Sequence, residues 1–324
     1  MARPAAIANC NAAIFENNAD ILVVDTHSKP SAVASLVAQV RKEITAKPIR
    51  YIVNTHFHWD HTQGTPAYKR IAPRADVLAS SQTRNLLAEN GASRFKESLE
   101  QAQKNLEASK DKLGAALSEA EKSYHQKMVS ELGAYIAEMR NYAPELPNTT
   151  IDRELVIHDK AHELHLAFRG RGHTAGDVVV FCPQKKVIAT GDLLHGFLPF
   201  IADGYPLDWP RTLYTVAELE FEHVIGGHGG VQHTRDRLYQ MAAYIEELTD
   251  AVVKGKQAGR TVAELKQTIT PATLKSLERR GYGRFLLDSV AKYRLQVPGM
   301  SQAASVASGV GTNIEHTFAA LDRS

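Results

Sequence analysis

Apolar residues at the start of the chain form two short runs, then one helical stripe, then another short run. The two runs in residues 11–27 flank the polar residues 16–20, which is typical of a β-hairpin. Residues 31–44 carry apolar side chains at helical spacing, namely Val33, Leu36, Val37 and Val40. The run Ile49–Val53 is too short for a helix and predicts a strand. We therefore expect a strand–helix–strand opening.

Residues 81–142 have a different character, because they are charged, rich in alanine and almost free of β-branched residues. Leucines recur every seven positions at 99, 106 and 113, and Ser118 with Glu121 fits a helix-capping box. We predict two antiparallel helices at about 93–113 and 118–142, joined near Gly114, within an insertion of about 81–147. This hairpin either packs on the domain, covers a nearby site or contacts a second copy in a homodimer.

Short apolar runs return after residue 150, at 155–158, 163–168, 178–182 and 186–189. This second set of strands after the helices predicts a two-sheet α/β architecture in a single domain over 1–300. Helical patterns at 237–256, 262–269, 272–280 and 284–293 predict a helical C-terminal extension of about 237–295. The Ser/Ala/Gly-rich tail, 297–324, is expected to be loosely ordered.

Composition excludes several classes of protein. The 324 residues are 44% hydrophobic and 23% charged with a net charge of +2, so nothing favours nucleic-acid binding. The two cysteines, Cys10 and Cys182, suggest buried or free thiols rather than a disulfide framework. No apolar run matches a membrane span or a signal peptide. We expect a cytoplasmic protein, or an exported one if the native start is longer than this chain.

Candidate chemistry is concentrated in the stretch Thr55-His56-Phe57-His58-Trp59-Asp60-His61, directly after the strand predicted at Ile49–Val53. Alternate residues of a strand share a face, so His56 and His58 are expected to point the same way. Asp60 and His61 lie further on and reach a second position. Imidazole and carboxylate groups suit zinc, and two groups of ligands suggest two metals.

Three further motifs place a metal-ligating side chain beside glycine after an apolar run. They are Gly172-His173, Gly191-Asp192 and Gly227-His228. Glycine allows sharp turns and close backbone approach. Each motif alone is typical of a turn. Together with the earlier histidines they predict one metal site.

The series His56-x-His58-x-Asp60-His61, then His173, Asp192 and His228, resembles the metallo-β-lactamase superfamily over about residues 10–235. The resemblance implies a four-layer αββα sandwich with a helical-hairpin insertion. It implies that a first metal binds three imidazoles, that a second binds Asp60 and two imidazoles, and that Asp192 bridges the two. The imidazoles of the first metal are His56, His58 and His173, and those of the second are His61 and His228. Asp25 is expected to brace the metal loop.

This resemblance implies a dinuclear zinc hydrolase that acts on a small molecule. A hydroxide between two zinc ions per chain would attack an ester, thioester, lactone or lactam carbonyl, with Asp60 as the catalytic residue. His195 and Tyr205 are further candidates for supporting a ligand or touching substrate. The alternatives are a persulfide dioxygenase with one iron, and a phosphodiesterase or nuclease.

Overall fold

The computed structural model describes residues 9–293 and 298–323. Its contacts divide these residues into two compact units, one of residues 9–150 with 298–299 and one of residues 151–293 with 300–323. The single domain over 1–300 that the sequence indicates stays a prediction.

The first unit is built on a five-stranded sheet of order β1-β2-β3-β4-β5. The strands are β1 Ala13–Glu16, β2 Ile21–Val24, β3 Ile49–Val53, β4 Asp76–Ser80 and β5 Thr149–Ile151. Strands β1 and β2 form the predicted antiparallel hairpin, and β2, β3 and β4 run parallel. The carboxyl ends of β2 and β3 therefore lie side by side, which brings residue 25 next to the loop after Val53.

Three helices accompany the parallel strands, namely α1 Pro30–Glu43, α2 Trp59–Thr62 and α3 Thr65–Ile71. Helix α1 is the crossover between β2 and β3, as parallel strands require. It buries Val33, Val37 and Val40 against Ile52 and Tyr68. The helical stripe predicted over 31–44 is confirmed, whereas the short helices α2 and α3 carry too few residues for a periodic signal.

The predicted helical hairpin is present as α4 Ser81–Gly114 and α5 Glu119–Met139. The Ser118–Glu121 capping box is formed at the start of α5. Helix α4 begins at Ser81 rather than near 93, because the Ser80 side chain caps it by accepting the Thr83 backbone N–H at 3.0 Å. The two helices bury a cluster of their own, which includes Ala102, Met128, Leu132, Tyr135 and Met139.

The second unit contains the second sheet, of order β10-β9-β8-β7-β6. Its strands are β6 Glu154–His158, β7 Glu163–Phe168, β8 Val178–Cys182, β9 Val187–His195 and β10 His223–His228. Strands β6 to β9 are antiparallel, and β10 runs parallel to β9. The predicted two-sheet α/β architecture is confirmed. Strand β9 continues six residues beyond the predicted run at 186–189, which carries Asp192 and His195 into the sheet.

Helices in the second unit are α6 Trp209–Ala217, α7 Asp236–Gln257, α8 Val262–Thr268, α9 Lys275–Glu278, α10 Tyr282–Lys292 and α11 Gln302–Ala320. The expectation of a loosely ordered tail over 297–324 is wrong for α11. That helix buries Val306, Val310 and Ile314, spaced four apart, in the main core of this unit. Residues 294–297 and 324 of the predicted extension and tail lie outside the described residues.

Two remaining expectations concern thiols and membranes. Cys10 and Cys182 are buried and free, as the sequence suggested. Within residues 9–293 and 298–323, no helix combines the length and apolar character needed to cross a bilayer.

Candidate metal centre

The loop after β3 holds four buried candidate ligands in the first unit. His56 and His58 lie beyond the last residue of β3, so strand alternation does not determine where their side chains point. Asp60 and His61 follow in the single turn of α2. The His56 ring centroid lies 4.7 Å from that of His58 and 4.2 Å from that of His61. The loop gathers the three imidazoles without a regular strand.

Asp25 holds this loop from the end of β2. Its carboxylate accepts the Thr55 backbone N–H at 2.9 Å and contacts His61 Nδ1 at 2.7 Å. Donation from His61 Nδ1 to this carboxylate fixes the ring and leaves Nε2 as the ligand atom, an arrangement common among metal-binding histidines. The backbone φ of Asp25 is 62°, a conformation that asparagine and aspartate tolerate better than most residues.

Backbone contacts close the same loop. The His61 carbonyl accepts from the Thr26 backbone N–H at 3.1 Å and from Asn54 Nδ2 at 3.1 Å. A Cβ at Gly64 would lie 1.8 Å from the Thr26 carbonyl oxygen, so only glycine fits there. These contacts pair the backbone N–H of Thr26 and the carbonyl of His61 inside the buried loop.

Cys10 lies against the back of this loop. Its ligand atom is grouped with those of Asp25 and His61 within 4.8 Å. Burial raises the pKa of the Cys10 thiol to about 11, against the opposing effect of His61. A thiol with that pKa is protonated at neutral pH in the metal-free protein. Cys10 thus lies behind His61 as a buried thiol.

The second unit gathers its own cluster around Asp192 on β9. His173 Nε2 lies 3.4 Å from Asp192 Oδ2, and His228 Nε2 lies 3.4 Å from Asp192 Oδ1. His195 Nε2 lies 3.0 Å from Asp192 Oδ2. All four side chains are at most 5% exposed. The sequence-predicted ligands of this unit are brought together, and His195 joins them.

The orientation of His173 depends on two neighbouring segments. Its Nδ1 contacts the Phe200 carbonyl oxygen at 3.0 Å, which again leaves Nε2 as the ligand atom. Asp177 stabilises the turn by accepting the Thr174 backbone N–H at 2.9 Å and the Thr174 hydroxyl at 2.6 Å. Burial raises the pKa of Asp177 to about 7, although both Thr174 hydrogen bonds lower it.

Gly227 leaves room for the Asp192 carboxylate. A Cβ added there would lie 1.9 Å from Asp192 Oδ1, which no side chain could tolerate. The glycine beside His228 is thus a cradle for the carboxylate, in agreement with the close approach expected from the sequence.

Tyr205 lies on the segment that leads to α6. Its backbone N–H donates to the Gly172 carbonyl at 2.8 Å, and the Arg171 guanidinium stacks over its ring at 4.4 Å. These contacts place Tyr205 beside the turn of His173. Its role towards substrate stays a prediction.

The donor set of the second unit fits a divalent metal ion. Metal–nitrogen and metal–oxygen bonds of about 2.0–2.1 Å, at angles of about 90–109°, place two ligand atoms of one metal about 2.9–3.4 Å apart. The three contacts to Asp192 span 3.0–3.4 Å. Buried imidazoles and carboxylates are also the ligands that zinc prefers among oxygen and nitrogen donors.

The family model described as "Metallo-beta-lactamase superfamily" matches residues 7–228, more than two thirds of the chain. The chain belongs to this superfamily. The predicted fold class is confirmed, because two sheets with helices are the fold of its structural neighbours. A buried His/Asp cluster in this fold suggests a metal cofactor.

One curated relative is the metallo-β-lactamase type 2 of Elizabethkingia meningoseptica, 29% identical over 86 residues. That match covers 23% of this chain and about a third, 34%, of the relative's length. The metallo-β-lactamase from Pontibacter korlensis has a TM-score of 0.51 and 19% identity, over 71% of this chain and 86% of that one. DIM-1 metallo-β-lactamase exposed to ceftazidime has a TM-score of 0.50 and 18% identity, over 72% and 84%.

Sequence reasoning named Asp25 but missed other residues that orient the candidate ligands. Thr55 and Asp177 are buried polar residues close in sequence to the candidate ligands. That closeness was the available signal that they contact the ligand segments. The Phe200 carbonyl carries no side-chain signal at all. Such partners become visible only when the chain is folded.

Proposed function

We propose that the chain is a dinuclear zinc hydrolase that acts on the carbonyl group of a small molecule. The proposed ligands are the seven sequence-predicted residues, namely His56, His58, Asp60, His61, His173, Asp192 and His228. The observation that carries the proposal is the contact of Asp192 with one imidazole at each carboxylate oxygen, His173 at Oδ2 and His228 at Oδ1. A carboxylate with each oxygen next to a different imidazole could hold one metal at each oxygen.

The residues of the chain have distinct tasks in this proposal. Two zinc ions held by these seven residues would supply a hydroxide nucleophile near neutral pH and polarise a carbonyl group. The Asp60 carboxylate, 3.8 Å from His61 Nε2, would orient this nucleophile and accept the proton of the water that forms it. Asp25 and Thr55 hold His61 and the loop, so that the nucleophile and substrate meet in a fixed geometry.

The proposed substrates are carbonyl compounds. Esters, thioesters, lactones and lactams share an electrophilic carbonyl that a metal hydroxide attacks. The lactamase names belong to the relatives, which match only part of this chain or resemble it at the level of fold. One scaffold hosts many reactions, so those names do not choose among these carbonyl compounds.

Metal analysis together with a hydrolytic panel tests the proposal. Protein purified with zinc should contain close to two zinc ions per chain and hydrolyse at least one of an ester, thioester, lactone or β-lactam. Chelation should abolish turnover and zinc should restore it. Asp60→Ala should lose activity while it keeps its fold.

Other outcomes of the same panel would replace the proposal. Tightly bound iron with oxygen uptake on a persulfide would establish the dioxygenase instead. Cleavage of a phosphodiester, with rates that fall steeply as salt rises, would establish a nuclease.

A further inference from the structure

His195 is a buried histidine outside the set of seven proposed ligands. Its side chain is fully buried, and its Nε2 lies 3.0 Å from Asp192 Oδ2. The same oxygen is 3.4 Å from His173 Nε2. Two imidazole nitrogens therefore converge on one carboxylate oxygen.

The register of β9 and β10 explains how residues three apart in a strand reach the same point. Side chains at positions i and i+3 of a regular strand point to opposite faces. Here Ile225 pairs with Ala189, Gly226 with Gly191 and His228 with His195, so β9 has extra residues at two register shifts. Bulges of this kind re-aim side chains and occur next to active sites.

This register also places His195 directly opposite His228. Their rings stack at 5.4 Å between centroids with an interplanar angle of 26°. Beyond this pair the two chain segments approach closely, because both have glycine there. A Cβ at Gly196 would lie 2.6 Å from the Gly229 Cα. The Gly196 backbone N–H donates to the His228 carbonyl at 2.8 Å. His195 is therefore fixed at the level of a proposed ligand.

We propose that His195 is an additional metal ligand, which shares with His173 the metal on the Oδ2 side of Asp192. The proposal rests on the proposed metal site and adds one protein ligand to it. The separation of 3.0 Å between His195 Nε2 and Asp192 Oδ2 falls in the range of about 2.9–3.4 Å for two ligand atoms of one metal. The added imidazole raises the coordination number at that metal or displaces a water.

Metal affinity tests this assignment without reference to catalysis. His195→Ala should weaken zinc binding at one site by roughly tenfold or more in metal-buffered titrations, since loss of even a supporting partner of a ligand costs 10–100-fold. His195→Gln should not restore the affinity, because an amide donates a hydrogen bond to Asp192 but is a poor zinc ligand. His162→Ala, which removes another buried histidine of the same unit, should bind zinc as the wild type does.

Cobalt substitution supplies a second readout. Replacement of an imidazole nitrogen by a water oxygen weakens the ligand field, so the visible bands of Co²⁺-loaded His195→Ala should move to longer wavelength. Circular dichroism of the metal-free variants establishes that they are folded, and His195→Gln replaces His195→Ala in both measurements if the alanine variant is not.

Three results would overturn the assignment. Unchanged zinc affinity and an unchanged cobalt spectrum in His195→Ala would show that the ring is not a ligand. Full rescue by His195→Gln would assign His195 as a hydrogen-bond donor to Asp192. Wild-type protein that binds neither zinc nor cobalt would overturn the proposed function as well as this inference. The first two results overturn the inference alone.

Discussion

The Tyr135 hydroxyl donates a hydrogen bond of 2.9 Å to Gln63 Oε1, and both side chains are buried. This bond joins helix α5 of the insertion to the residue that follows α2. The Trp59 ring packs edge-on against Tyr135, 6.0 Å between centroids, and the Arg94 guanidinium lies over the Phe57 ring at 4.7 Å. The hairpin thus packs on the loop that holds His56 to His61. Covering a site and forming a dimer stay predictions for it.

Removal of the Tyr135 hydroxyl should loosen the metal loop. Tyr135→Phe leaves the Gln63 carbonyl oxygen buried without its donor, which costs about 1–3 kcal/mol of unfolding free energy. We also expect weaker zinc binding, since Gln63 is two residues from His61. Denaturant unfolding of the metal-free protein and metal-buffered titration measure the two effects.

Tyr124→Phe is the matched control, because Tyr124 belongs to the same helical cluster and is only partly buried. It should change stability by less than about 0.5 kcal/mol. Equal effects of the two substitutions would show that the hydrogen bond to Gln63 is not the source of stability.

Loss of the Asp25 charge should weaken metal binding without removing a proposed ligand. Asp25→Asn keeps a side chain that tolerates a φ of 62°, but its amide cannot accept from both Thr55 and His61. We expect roughly a 10–100-fold loss of zinc affinity. Asp20→Asn, in the β1–β2 turn, should bind zinc normally. Normal zinc affinity in Asp25→Asn would contradict the bracing role.

Local patterns predicted most of the fold. The stripe of α1 and the capping box of α5 depend on residues within a few positions of each other, so the sequence displays them directly. Helix α11 was not predicted, because its Ser, Ala and Gly residues are typical of a loosely ordered tail. Its small residues instead let Val306, Val310 and Ile314 reach the core. This packing depends on the helices that α11 contacts, and the sequence of α11 alone does not display it.

The candidate site was also predictable only in part. Ligand types follow from motifs such as His56-x-His58, but their orientation depends on contacts between distant residues. Tyr135 and Gln63 are 72 positions apart, and Phe200 reaches His173 across 27. The convergence of His195 on Asp192 requires the register shifts between β9 and β10. The pattern of polar and apolar residues along β9 does not predict these shifts.

Helix α11 should influence metal binding through Phe200. The Phe200 ring lies between His173, at 6.3 Å, and His316 of α11, at 5.4 Å, and its carbonyl contacts His173 Nδ1. Phe200→Ala keeps the carbonyl but frees its segment, so we expect roughly tenfold weaker zinc binding. Phe318→Ala, on α11 but packed against Lys256, should leave zinc affinity intact. Equal losses in both variants would indicate general destabilisation.

The stability of the metal-free protein should depend on pH through Asp177. Burial raises the pKa of Asp177 from 3.8 to about 7 in the folded chain. Between these values the unfolded chain has released the proton that the folded chain retains, so stability falls as pH rises from about 4 to about 7. Asp177→Asn removes this titration and should flatten the decline, whereas exposed Asp250→Asn should keep the wild-type profile. The test is the free energy of unfolding of each variant, measured across this pH range. Parallel pH profiles of stability for wild type and Asp177→Asn would show that Asp177 is ionised in the folded protein.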